Sequence, residues 1–182
     1  MNKNSFVFMK IGPSTGETLE AIIQRKRQEI KECGECFWGY GGKICHPLTQ
    51  VRPFAEQAVE EHGEIYLFMQ KTTSDFDSEI HSTTEYSEDG QTFKSISAGI
   101  RVSGSSFALV LDSFEAADFE IPFDSYIVGI GNSKGTPATE YVKNRIDKAC
   151  LVLDGGRTNS EQNMKKIDFI AKLKSPYAVF VR

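Results

Sequence analysis

Nothing in this chain is long and apolar enough to span a bilayer: no run of about 18 apolar residues occurs. The opening MNKNSFVFMKIGPS also has too short an apolar stretch for a signal peptide, which points to the cytoplasm. An excess of positive charge is missing as well. Twenty-one Lys and Arg stand against 25 Asp and Glu, net −4, and this excludes the broad electropositive surface that drives sequence-blind nucleic-acid binding. Any nucleic-acid contact must therefore be local. Cysteine is sparse at four, and without a secretory leader these read as thiols or metal ligands rather than a disulfide frame. Histidine is sparser still, with only His46, His62 and His81, none inside a GxSxG or HExxH pattern. Repeats, low-complexity tracts and linkers are lacking too, so residues 1–182 read as one domain.

The composition is 40% hydrophobic and 11% aromatic, enough for one sizeable core. Ser5 to Ile11 has strand length and ends at Gly12-Pro13. Ser14 with Glu17 fits a capping box, and Leu19, Ile22, Ile23, Lys26 and Ile30 repeat at helical spacing up to a stop at Gly34. Arg25, Lys26, Arg27 and Lys31 read as the solvated basic side of that helix. CFWGYGG (Cys36 to Gly42) reads as a short strand running into a loop. A helix follows from Pro53 to His62 with Gly63 as its stop, and Ile65 to Met69 reads as a strand buried on both faces at the centre of a sheet. Beyond a polar loop at residues 72–82, Asp89-Gly90 marks a hairpin between Thr83 to Ser87 and Gln91 to Ser95. Strands are expected at Ser97 to Val102, Phe107 to Leu111 and Tyr126 to Ile130. The last third alternates: a helix near Ala138 to Asp147, a strand at Cys150 to Leu153, a helix near Ser160 to Leu173 with a Thr158/Glu161 capping box, and a strand at Tyr177 to Val181. The fold expected is α+β, a mixed but mostly antiparallel curved sheet or partial β-barrel flanked by three to four helices.

Three groups of residues bear on chemistry. Cys33 and Cys36 form CGEC, with Cys45-His46 close behind, a conceivable zinc set. Adjacent residues point apart on extended chain, however, and CGEC follows a helix C-terminus, where the dipole disfavours a thiolate. Trp38 and Tyr40 lie on the same face of a strand, two flat rings able to sandwich a planar ligand while the neighbouring glycines admit it to the backbone. The same stretch also reads as an aromatic core strand and a turn, and the glycine density favours a pocket. Finally Gly129 to Gly135 (GIGNSKG) precedes a helix start, so that the backbone at Gly131 and Asn132 and the Lys134 ammonium suit an anion. The pattern is GxGxxxG rather than GxGxxG, and no Walker sequence is present.

The order FVFMKIG, helix, FWGYGG, QVRPFAEQAVEEHGEIYLFMQK resembles the PUA-like superfamily, in particular its EVE branch, with Trp38, Arg52 and Gly63-Glu64 at the matching positions. That resemblance implies a small curved barrel with an aromatic pocket for a flipped, often modified base. Where EVE-type chains carry Tyr-His-Ser, this one has Met69, Gln70 and Lys71. The function expected is non-enzymatic binding of a nucleotide or a single nucleobase in nucleic acid. Trp38 and Tyr40 would stack, Arg52, Gln70, Gly131, Asn132 and Lys134 would supply polar or anion contacts, and no cofactor is needed. The alternatives are an enzyme using Cys45 and His46 or a metal held with Cys33 and Cys36, and a protein that captures a protein partner through the Asp89-Gly90 hairpin.

Overall fold

The computed structural model describes residues 1–14, 16–41, 46–73, 83–143, 146–156 and 163–182. Strand β1 (Ser5–Ile11) leads through helix α1 (Leu19–Cys33) to β2 (Cys36–Gly39), and helix α2 (Leu48–His62) leads on to β3 (Tyr66–Lys71). This long crossover lets β3 pair parallel to β1, Val7 facing Leu67 and Phe8 facing Phe68. The other strand pairs among the described residues are antiparallel. They involve β4 (Glu85–Ser87), β5 (Lys94–Ser95), β6 (Phe107–Leu111), β7 (Glu115–Pro122), β8 (Tyr126–Val128), β9 (Lys148–Leu153) and β10 (Met164–Val181). The main path is the open order β2-β6-β10-β3-β1-β9-β8, with β4, β5 and β7 hung on its flanks. The protein is thus α+β with a large, mostly antiparallel, non-closed sheet and, among the described residues, three helices, the third being the short α3 (Ala138–Tyr141).

Because β1 and β3 sit mid-sheet, both their faces are covered. Val7, Leu67 and Met69 point into a core with Leu19 and Ile23 of α1 and Val51, Ala55 and Ala58 of α2. Phe6, Phe8 and Phe68 point the other way, against Ile121, Phe123 and Tyr126. A third, smaller cluster forms where Ile100 and Val102 cover Phe37, Val110 and Val179.

Several expectations are corrected. Ser14 and Glu17 bond to each other's backbone instead of boxing α1, and Thr18 caps the helix by accepting from the Ala21 N–H at 3.3 Å. Helix α2 starts at Leu48 rather than Pro53. Leu48, Val51, Ala55 and Ala58 share a buried stripe, and that burial holds the first turns despite the amide proton Pro53 lacks. Residues 97–102 form a turn closed by Ile100 N–H to Ser97 O at 2.8 Å, not a strand. The expected helix of residues 138–147 shortens to one turn, and Thr158 and Glu161 lie outside the described residues. The largest correction is β10, a strand where a helix near Ser160 to Leu173 was expected. Phe169, Ala171 and Leu173 alternate at period two toward the main core, Ile167 joins the second core across a register shift, and β7, β3 and β6 pair with this segment. The alternation of Ala117, Phe119 and Ile121 in β7 went unread, masked by its acidic residues.

Candidate functional site

A cavity of about 500 Å³ opens between β1, β2, the first turns of α1 and residues 100–105. Its floor is Met9, Ile11, Phe37 and Trp38; Ile100 and Val102 form a wall; the hydroxyls of Ser14, Thr83, Ser103 and Ser105 mark its polar side. The alternation of β2 sends Trp38 into the main core, 7% exposed, with Phe114 at 5.4 Å and the indole N–H donating to Met9 Sδ at 3.2 Å. Trp38 is nonetheless one of the residues that line the cavity. Tyr40 shares that core but is fully enclosed, its ring 5.5 Å from Phe107, and it does not line the cavity. The strand therefore does not build a clamp of two open rings.

Gly39 and Gly41 beside these rings line the cavity, and both are also required by packing. A Cβ at Gly39 would lie 2.5 Å from Ser105 Oγ, and one at Gly41 would lie 2.6 Å from Phe107 Cδ1 and 2.7 Å from its backbone nitrogen. Both positions let β2 approach the start of β6, where Tyr40 and Gly41 N–H groups both reach Phe107 O at 3.0 Å.

One wall of the cavity hides a buried ionic cluster. Lys26 (4% exposed) spends its three donors on Glu29 Oε2 at 2.8 Å, Phe37 O at 2.6 Å and Arg101 O. Glu29 (2% exposed) takes Arg25 at 3.0 Å and the Arg101 N–H at 3.2 Å, and Arg25 also holds Glu17 at 2.6 Å. The hydrogen bond from Arg25 keeps Glu17 below the ordinary carboxylate range. Burial pulls the Lys26 ammonium below the usual lysine value despite Glu29. Burial also opposes the Arg25 charge, yet its two carboxylate partners raise it above its usual value. Cluster members Arg25, Lys26 and Glu29 were not proposed as site residues from the sequence. The available signal was Lys26, which falls in the apolar repeat of α1 between Ile23 and Ile30.

The remaining sequence candidates lie elsewhere. Arg52 donates from Nε to Ala178 O at 3.0 Å, from another nitrogen to the same oxygen, and to Glu88 O at 2.6 Å, tying α2 to β10 and the hairpin. Gln70 pairs in register with Lys10 and does not reach the cavity. Gly131 packs on the start of α2, where a Cβ would stand 2.8 Å from Gln50 Oε1; Asn132 and Lys134 are exposed. None of these three lines the cavity, and the single turn of α3 is too short to supply the helix dipole that an anion site there requires.

The soft ligands are similarly dispersed. Cys36 sits in the main core, its thiol pushed up to about 12 by burial, while Cys33 packs under the third cluster. His46 stacks on Tyr141, ring centroids 5.6 Å apart with the hydroxyl 3.3 Å from Nε2, and burial lowers its pKa. Cys45, Gly42 and His81 lie outside the described residues, and among the described residues no three His, Cys, Asp or Glu side chains gather to hold a metal. At the hairpin, Asp89 accepts from Ser87 Oγ and from the Gln91 and Thr92 amides, so its charge organises its own turn.

No family model, curated protein or solved structure matches the chain.

Proposed function

We propose that the cavity beside Trp38 binds a nucleotide or an exposed nucleobase, modified bases included, without transforming it. Its volume of about 500 Å³ falls in the range of small-molecule sites. A floor of Trp38 and Phe37 with hydroxyls to one side suits a flat ring with polar edges. The observation that carries the reading is the place of Trp38: almost wholly packed, it is still one of the residues lining the cavity. Net charge −4 favours a small nucleotide or one base over a long duplex.

Binding rather than catalysis is supported by how the nearest acid and amine are held. Glu17 is a weakened base under Arg25, and Lys26 has no donor to spare. Of the positions behind the EVE-type likeness, Trp38 at the cavity supports a PUA-like reading. Arg52 is engaged with backbone carbonyls, and Glu64 with the N-terminus at 3.1 Å.

Trp38 is the only tryptophan, so its fluorescence reports on this cavity alone. Titration with nucleobases, nucleosides and nucleotides should quench or shift that emission with a saturable curve. An unchanged spectrum across the whole panel, with calorimetry equally silent, would overturn the proposal.

A further inference from the structure

The buried cluster behind the cavity converges on one residue of an otherwise irregular segment. The Arg101 N–H is received by Glu29 at 3.2 Å, and its carbonyl is held by Lys26 and by Arg25 at 3.3 Å. Ile100 and Val102 on either side are buried, which fixes the segment laterally. Placing an ammonium and a carboxylate at 4% and 2% exposure is a costly way to anchor a loop, because desolvation offsets most of what the pair gains. Well-packed apolar side chains of similar volume can match the stability of such a pair, but they make no directional bond to the Arg101 carbonyl.

The arrangement therefore has a product other than stability, and that product is the position of the Arg101 side chain. Arg101 is exposed and lines the cavity. Among the described residues its guanidinium makes no hydrogen bond or ion pair; its charge adds to the lowering of Glu17, which Arg25 already holds. An anchored backbone with an uncommitted planar cation at a cavity wall is a prepared site for an oxyanion, which the guanidinium fork can grip in bidentate fashion. Lys148, which also lines the cavity, is by contrast neutralised by Asp147 at 3.1 Å.

We propose that Arg101 determines the cavity's specificity by recognising a phosphate or carboxylate on the ligand whose flat part lies over Trp38. This rests on the cavity being a ligand site, and it selects nucleotides over nucleosides.

The test uses matched pairs that differ in the anion alone: four nucleosides with their 5′-monophosphates, and naphthalenemethanol with naphthoate, all followed by Trp38 emission on the full chain. The anionic member of each binding pair should bind roughly tenfold tighter. Arg101→Gln should erase that preference and leave the neutral member's affinity unchanged, since the backbone anchor is intact. The preference should also shrink with salt. Lys26→Met, which removes one of the three bonds on the Arg101 backbone without touching its guanidinium, should lose part of the preference. Equal affinity within the pairs, or a preference that survives Arg101→Gln, overturns the assignment. If only the naphthalene pair binds, the base-binding reading fails while the anion preference still decides for or against Arg101; if nothing binds, both fall. A phosphate preference without a carboxylate one identifies the group as phosphate.

Discussion

Replacing Lys26 by Met keeps most of the apolar stem of the side chain and removes its charge and three donors. Glu29 is then left at 2% exposure with Arg25 as its one side-chain partner among the described residues, and Phe37 O and Arg101 O lose the donor that Lys26 supplied. Breaking a buried pair from one side costs about 3–5 kcal/mol. For a chain of this size each kcal/mol is worth about 2–4 °C, so thermal unfolding should fall by about 6–20 °C. Removing Glu29 as well, in Lys26→Met/Glu29→Leu, should recover part of the loss, because no uncompensated charge remains buried and Arg25 keeps Glu17. The pH dependence has a definite sign. Burial holds the folded Lys26 pKa below its unfolded value, so the unfolded chain keeps this proton longer as pH rises. The penalty of the buried ammonium is complete at neutral pH and is relieved between the lowered folded pKa and the ordinary lysine value. The stability advantage of the wild type over Lys26→Met should therefore grow with pH in that alkaline window. Denaturant melts at a series of pH values measure it. A Lys26→Met variant within about 2 °C of wild type, or an advantage that shrinks toward alkaline pH, would refute the reasoning.

Gly41→Ala should destabilise the protein by about 1–3 kcal/mol, because its Cβ would press within 2.7 Å of Phe107 backbone, whereas Gly155→Ala, with nothing within 4 Å, should melt like wild type. Arg52→Ala should lower stability by about 1–3 kcal/mol through the loss of its bonds to Ala178 and Glu88 carbonyls, yet leave cavity affinity unchanged; a selective loss of binding would return Arg52 to the site. Iodoacetamide on the folded protein at pH 8 should label Cys33, which is partly exposed, and spare the buried Cys36, whose thiol stays protonated with a pKa near 12. Tandem mass spectrometry of the shared peptide distinguishes the two.

Elements were legible where local pattern and tertiary demand agree. Ser5–Ile11 and Phe107–Leu111 are short apolar runs with turn signals beside them, and the structure gives them the expected bounds. Gly34 and Gly63 stop their helices in the left-handed conformation that glycine adopts freely. Where two periods fit the same letters, local pattern cannot choose. Ile167, Ile170 and Ala171 satisfy a helix, while Phe169, Ala171 and Leu173 satisfy a strand. The choice is made by partners far away in sequence, since Phe169 to Lys172 must close against Met69 to Tyr66 of β3 and have β7 on the other flank. A helix at that place would leave the central strand β3 with an open edge.

The site divides along the same line. Trp38 was visible because the lone indole and its strand register are properties of a few adjacent residues. Tyr40 shows the limit of that logic: register assigns a face, but whether the face meets solvent depends on what packs there, and here Phe107 and the main core close it. Lys26 carried a signal that composition alone discards, a cation at a position where the helix repeat calls for an apolar side chain, so charge on a buried stripe should prompt a search for the group it satisfies. Arg101 carried no signal at all. Nothing in its type or neighbours separates it from the other cations of the chain. Its distinction arises only after α1 has folded against the segment and fixed its backbone from three directions, leaving the side chain with no hydrogen bond or ion pair among the described residues.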